Sequence, residues 1–291
     1  MALAALGRPE TAEANLRQAL ARQPGHVHAL VMLARLLRKS GRGRELAALC
    51  GDIASRGVRH AQLLLESGRA AALTGDMAGA RRLLLDHGRV ARGAAPVPAP
   101  FADHAAFNAA FAEELLSNPV ILDRFGTDDA NRGSRRIHHL TGGRRPELVR
   151  ALTTAIQAAI DRFVAALPAH GFDPWLEAVP RLARLNSWGL IQRSGEYEAW
   201  HLHRGGWLSG VYYVQLPAAF SVAGEGAGCI EFGAPPSLAT AGLAPSPPLR
   251  IAPQAGMLLL APSHYHHRTI PFAAPGYRLS FAFDVVPLDN L

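Results

Sequence analysis

Cysteine and lysine are nearly absent from this chain. Cys50 and Cys229 are the two cysteines in 291 residues, and Lys39 is the one lysine. Two cysteines so far apart imply neither a disulfide framework nor a cysteine metal knuckle, and a reducing cytoplasm is the simplest compartment. No stretch approaches the roughly 18 apolar residues of a membrane helix. The opening Met-Ala-Leu-Ala-Ala-Leu-Gly-Arg has no basic segment ahead of a long apolar core, so neither membrane insertion nor secretion is expected. Charge is also scarce, at 18% of residues against 49% hydrophobic, which excludes disorder as the main state and describes a globular chain.

What charge there is lies unevenly. The net charge is +7, and residues 1–95 hold 15 Lys and Arg against 7 Asp and Glu, whereas residues 96–291 hold 15 against 16. A basic surface of this kind can attract an acidic protein, a nucleic acid or an anionic membrane face. Arginine-rich usage explains it equally well, and no membrane or nucleic-acid partner is expected.

The same first third is repetitive. Gly7, Gly41 and Gly75 recur at a spacing of 34, each followed by an amphipathic pattern, and 34 is the tetratricopeptide period. Ala12, Leu46 and Ala80 share one repeat position, and Leu16, Cys50 and Leu84 share another. Leu30, Leu33 and Ala34 fit the opening helix of the second unit, and Leu64, Ser67 and Gly68 form a degenerate third copy. Met1 to Leu6 stand where a full first helix would be. Such an array either binds a peptide on its concave face or braces a neighbour.

Residues 90–100 are rich in Pro, Ala and Gly, which stops a helix and favours an extended strap. The expected organisation is therefore repeats over 1–89, a linker over 90–100 and a second domain over 101–291. Within it, helices are expected over Phe101–Asn118, with Phe101, Ala105, Phe111 and Leu115 near one face, and from Pro146, with Leu148, Leu152, Ile156, Phe163 and Leu167 along a stripe. These buttress 101–178. From residue 179 onward the pattern is of short strands, Leu185–Gln192, Leu208–Leu216, Cys229–Phe232, Met257–Leu260 and Arg278–Val286, suggesting a sandwich or barrel. Ser237–Pro253 reads as a loop beside the pocket.

The chemistry is concentrated in the barrel segment. In a strand, residues i and i+2 project from one face, so His201 and His203 can share an ion. His267, on a later strand, fits a third ligand. Three ligands on one face of an octahedral metal leave positions for a chelating co-substrate and dioxygen, although imidazole also suits zinc, copper and nickel. Arg278, with Ser280 two residues on, adds a guanidinium able to clamp a carboxylate. By alternation His264 and His266 point one way and His267 the other.

Four segments in order, Glu196–Val214, Gly228–Pro236, Ala261–Phe272 and Tyr277–Asp284, resemble the 2-oxoglutarate–Fe(II) oxygenases that carry tetratricopeptide repeats. The resemblance spans residues 101–287 and is densest after Asn186. It implies an α+β chain of helical tetratricopeptide-like repeats followed by a double-stranded β-helix, a jelly-roll or cupin-like barrel with buttressing helices. It implies Fe(II) held by His201, His203 and His267, with the pattern His-x-Thr-x-Pro selecting His267 over its neighbours. It places Arg278 and Ser280 on the distal carboxylate of 2-oxoglutarate and Tyr213 on the barrel wall beside them. Relatives usually carry a carboxylate at the position of His203, which leaves two ligand sets open: three histidines, or two with water. Arg204 stands where many relatives have proline, and it and Trp207 are candidate substrate contacts.

The activity so implied is oxidative decarboxylation of 2-oxoglutarate to succinate coupled to hydroxylation, first of an amino-acid side chain in a peptide or protein, an acidic one being suggested by the basic array, and second of a small molecule. Two rivals are a three-histidine metal oxygenase acting without 2-oxoglutarate and a non-enzymatic repeat-based binding module on a degenerate barrel.

Overall fold

A computed structural model describes residues 9–121, 130–168, 173–218, 226–239, 243 and 246–288. Gly7 and Met1–Leu6, which entered the repeat reading, and part of the stretch between Ser237 and Pro253 lie outside these residues.

Five helices come first: α1 (Pro9–Arg22), α2 (Val27–Lys39), α3 (Gly43–Ser55), α4 (Ala61–Thr74) and α5 (Met77–Leu84). The 34-residue glycine spacing has a stereochemical cause. Gly41 follows α2 at φ 69° and Gly75 caps α4 at φ 88°, the left-handed region that stops a helix and that a side chain disfavours. The equivalent positions Leu46 and Ala80 are fully buried, and Cys50 and Leu84 nearly so, because small and apolar residues let paired helices approach. Gly68 marks the closest approach. A Cβ there would lie 2.5 Å from Leu84 Cγ. Gly68→Val is therefore expected to destabilise the protein by about 1–3 kcal/mol through overpacking, read as a lower thermal midpoint; an unchanged midpoint would show that α4 and α5 can separate freely.

The helical array does not stand apart from the rest of the molecule. Leu64, Leu65, Ala80, Leu83 and Leu84 join one continuous core with the second part of the chain. The Pro/Ala/Gly-rich stretch is extended, as its prolines require, but part of it is sheet: β1 (Ala91–Ala94) pairs antiparallel with residues 257–260. It thus ties the array to the barrel through backbone hydrogen bonds.

Helix α6 (His104–Ser117) comes next, capped by the Asp103 side chain accepting from Ala106 N, and α7 (Pro146–Ala165) starts on proline, whose missing N–H costs nothing in a first turn. In α6 the inward face carries Phe107, Phe111 and Leu115, while Ala105, expected on that face, is exposed. In α7 it carries Leu148, Leu152, Ile156 and Ile160.

The strands are β2 (Asn131–Arg132), β3 (Arg135–Ile137), β4 (Ala183–Gln192), β5 (Tyr197–Glu198), β6 (Leu208–Gln215), β7 (Ile230–Phe232), β8 (Leu249–Ile251), β9 (Met257–Pro262), β10 (His267–Thr269) and β11 (Arg278–Pro287), with a short helix α8 (Pro236–Ala239) after β7. The stretch Ser237–Pro253 thus contains the end of α8 and all of β8. An antiparallel six-stranded sheet runs β1-β9-β6-β11-β4-β3, and a three-stranded sheet runs β10-β7-β8. Tyr213, Leu259 and Ala261 of the first pack with Ile230, Phe232 and Ile251 of the second, which closes two antiparallel sheets into a double-stranded β-helix.

Period-2 alternation assigns the faces. On β11, Leu279, Phe281, Phe283 and Val285 turn to the buttressing helices, and Phe111 meets Phe281 with ring centroids 6.2 Å apart. Arg278, Ser280, Ala282 and Asp284 turn inward. The interior of the barrel is therefore polar at chosen positions, and the fold is the expected α+β arrangement. Among the described residues no helix is long and apolar enough to cross a membrane.

Candidate metal and 2-oxoglutarate site

A cavity of about 1120 Å³ opens between the two sheets. His201, His203 and His267 meet in it, with one ligand atom from each lying within 4.8 Å of the others. None is placed by a long strand. His201 and His267 form an isolated antiparallel bridge, exchanging both backbone hydrogen bonds at 2.9 Å, and His203 N donates to Ser263 O at 2.9 Å. The segment after β5 is thus fastened across to the mouth of β10, and i, i+2 spacing brings both of its histidines to the same point.

The ring tautomers follow from the acceptors they face. His201 Nδ1 lies 2.8 Å from Ala199 O, His267 Nδ1 3.1 Å from Tyr265 O, and His203 Nδ1 2.8 Å from Asp284 Oδ1. A carbonyl or carboxylate can only accept, so each Nδ1 carries a proton, which leaves Nε2 as the atom that can bind a metal. Burial, and then repulsion from His201 and His203, lowers the pKa of His267 well below its ordinary value, keeping it neutral. Three imidazoles with oriented outer partners suit a divalent transition metal.

Asp284 was not found from the sequence. It lies on the inward row of β11 at i+6 from Arg278, so alternation was the available signal. Ser209 Oγ, 2.6 Å from Asp284 Oδ1 and 2.7 Å from Ser263 Oγ, links this carboxylate to the turn after β9. The His203–Asp284 pair places one negative charge beside the triad. Asp284→Asn is expected to weaken divalent-metal binding about 10–100-fold, measured by competition against a chromophoric chelator; equal affinity would leave Asp284 without an orienting role.

Further into the same cavity is a buried cation. Arg278 is 1% exposed, donates from Nε to Gln192 Oε1 at 2.7 Å and from Nη1 to Gly228 O at 2.9 Å, and lies 5.8 Å from the Phe272 ring centroid. These partners are neutral. Burial accordingly lowers its pKa, while Tyr213 and Glu198 oppose the shift; Glu198 is itself ion-paired with Arg136 at 2.7 Å. A buried guanidinium held by neutral groups is a place for an anion. Ser280 sits opposite Tyr213 in the β11–β6 register, and both line the cavity. Burial pushes the Tyr213 phenol up to about 12, so it stays a hydroxyl donor. Gln192, opposite Arg278 on β4, was likewise not found from the sequence.

Other expected positions separate. Arg204 lines the cavity. Trp207 does not: it stacks on Trp175 at 5.0 Å, and the two indoles donate to each other's carbonyl oxygens. It is a core residue because, one residue before β6, it is held against Trp175 and does not follow the strand's inward row. Trp188 and Trp200 do line the cavity. The alternation expected of His264, His266 and His267 also fails, because residues 263–266 form a turn with no period of two. His266 lines the cavity with His267, whereas His264 is fully buried and its Nε2 bonds Leu83 O of α5 at 2.8 Å. Burial holds His264 down to about 4 and His266 to about 3.

Three convergent imidazoles beside a buried arginine, inside a double-stranded β-helix, could hold one divalent metal ion. Residues 186–284 match the family described as "Putative 2OG-Fe(II) oxygenase", and residues 3–45 match the tetratricopeptide repeat. Residues 186–284 are therefore a domain of the 2-oxoglutarate–Fe(II) oxygenase family, whose cofactors are iron(II) and 2-oxoglutarate, and a tetratricopeptide repeat precedes it. No curated relative matches the chain in sequence. Similar solved structures include a Pseudomonas putida prolyl-4-hydroxylase (16% identity, 68% of this chain and 92% of that one, TM-score 0.45). A Trichoplax adhaerens prolyl hydroxylase in complex with a hypoxia inducible factor peptide fragment is another (13%, 78% and 93%, TM-score 0.49). A third is Streptomyces hygroscopicus HygX with nickel, 2-oxoglutarate and hygromycin B bound (14%, 69% and 83%, TM-score 0.43).

Proposed function

We propose that this protein is an Fe(II)- and 2-oxoglutarate-dependent dioxygenase that hydroxylates an amino-acid side chain of a peptide or protein. One observation carries the reading: the three convergent histidine nitrogens and the buried Arg278 guanidinium share one cavity. Iron(II) with 2-oxoglutarate and dioxygen supplies oxidative decarboxylation of the keto acid coupled to oxidation of a substrate C–H bond.

The chain's own groups divide the remaining work. His201, His203 and His267 would hold the iron, each oriented through its Nδ1. Asp284 supplies beside His203 the negative charge that a carboxylate ligand would have carried, which supports three histidine ligands over two. Arg278 and Ser280 bind the distal carboxylate of 2-oxoglutarate, and the Tyr213 hydroxyl donates from the wall. Trp188, stacked on His203 at 5.6 Å, and Phe232, 5.5 Å from His267, exclude water from the ligand face. The oxygenase unit comprises residues 101–291 with β1 completing its sheet, and the repeats over 1–89 serve it.

Iron-loaded protein given 2-oxoglutarate in air is expected to form succinate, faster when a peptide substrate is present and with one oxygen atom added to that peptide. Succinate no higher than in an iron-free control would sink this reading and favour a three-histidine oxygenase acting without 2-oxoglutarate.

A further inference from the structure

The cavity is not enclosed by the barrel alone. Arg35 and Arg38 of α2 and Gln62, Glu66 and Arg69 of α4 line it together with Arg204 and the histidine triad. Helix periodicity explains how one face can do this: residues 35 and 38, and 62, 66 and 69, are three or four apart and so lie along one side of each helix. The repeats therefore brace the barrel through α4 and α5 and, with the open side of α2 and α4, form a wall of the reaction chamber.

The charges on that wall are unequally matched. Glu66 is fully buried and is ion-paired to both Arg38 and Arg69, the latter at 2.8 Å. Arg35 and Arg204 are exposed to the cavity mouth and have neither a hydrogen bond nor an ion pair among the described residues. Arg204 immediately follows His203, and its charge is close enough to Arg69 to act on it across the seam. Like charges facing one another across a seam repel unless an anion lies between them. Gln62 adds an independent sign of a ligand. It is 2% exposed, it lines the cavity, and its Oε1 has no hydrogen-bond partner among the described residues. A buried amide left unpaired is costly in water's absence, and a peptide N–H would satisfy it.

We infer that α2 and α4 read the substrate: Arg35 and Arg204 hold an acidic side chain of a peptide segment, and Gln62 hydrogen-bonds its backbone, while a neighbouring residue of that segment reaches the triad. This rests on the peptide-hydroxylase reading above. A peptide fits better than a nucleic acid, because two unpaired cations suit one or two carboxylates, whereas a phosphate backbone needs a continuous row.

Trp188 and Trp200 line the cavity, whereas Trp175 and Trp207 are stacked in the core, so quenching of intrinsic fluorescence reports occupancy without turnover. The probes are hexaglutamate, hexaglutamine and a hexathymidylate, titrated into anaerobic iron(II)-loaded protein with and without 2-oxoglutarate. Hexaglutamate is expected to quench and to bind about tenfold more weakly to Arg35→Glu and to Arg204→Glu, with Lys39→Glu, a charge reversal outside the cavity, binding as the parent does. Gln62→Leu is expected to weaken it further without altering net charge. Equal binding of hexaglutamine, preference for hexathymidylate, no quenching, or equal loss in Lys39→Glu would each overturn the inference. The keto-acid absorption band, read in the same samples, reports separately on the 2-oxoglutarate assignment.

Discussion

Arg278→Ala is expected to weaken 2-oxoglutarate binding by about two to three orders of magnitude, the usual cost of removing one member of a buried charge pair. The guanidinium lies at the floor of the cavity with neutral partners, so its desolvation is repaid only when a carboxylate arrives. The measurement is anaerobic titration of the iron(II)-loaded protein with 2-oxoglutarate, following the weak visible charge-transfer band of a chelated keto acid. A band in the parent protein that is lost in the variant, with iron content unchanged, assigns the carboxylate to Arg278. Undiminished affinity would remove Arg278 from the site. Because Gln192 loses its main partner in this variant, Arg278→Lys serves as a second test: it keeps the charge but loses the fork, and an intermediate affinity is expected.

His267→Ala is expected to abolish stoichiometric iron binding, a loss well beyond the roughly 10–100-fold set by an outer partner such as Asp284. His267 joins the three-stranded sheet to the segment after β5. It starts β10, pairs with Phe232 of β7 and bridges to His201 through its backbone. Since that bridge uses main-chain atoms, the alanine variant keeps it, and the loss should be of a ligand rather than of the fold. Iron content after anaerobic reconstitution, with circular dichroism matching the parent, checks this. Full iron occupancy in both His267→Ala and His201→Ala would dismiss the triad as a metal site. The comparison with His203→Ala is informative, because there the variant leaves Asp284 facing the gap. Its carboxylate can approach the metal, so a smaller loss is expected than for His267→Ala.

Several of these residues are legible in the amino-acid sequence. The pair His201 and His203 reads directly from i, i+2 spacing, and Arg278 with Ser280 reads from the same rule on β11. Applying that rule four residues further would have reached Asp284. It failed at His264 and His266 because β9 ends at Pro262, and a turn has no faces. Trp207 failed for a related reason: it lies one residue before β6, so the strand's own alternation did not place it, and its partner Trp175 comes from a distant turn. The stretch 90–100 was legible as extended, but an extended chain becomes a strand only when an edge is available, and that edge is β9.

By itself the sequence determined local matters: glycines at a 34-residue spacing because only they end helices in the left-handed region, polar residues on alternate strand positions, and the order in which ligands enter the barrel. Tertiary structure alone decided which of those faces meet. His203 finds Asp284, Arg278 finds Gln192, and α2 and α4 close over the triad, through contacts between residues tens to more than a hundred positions apart. Periodicity states which way a side chain points relative to its own element; what it points at depends on the packing of whole helices and sheets against a shared core.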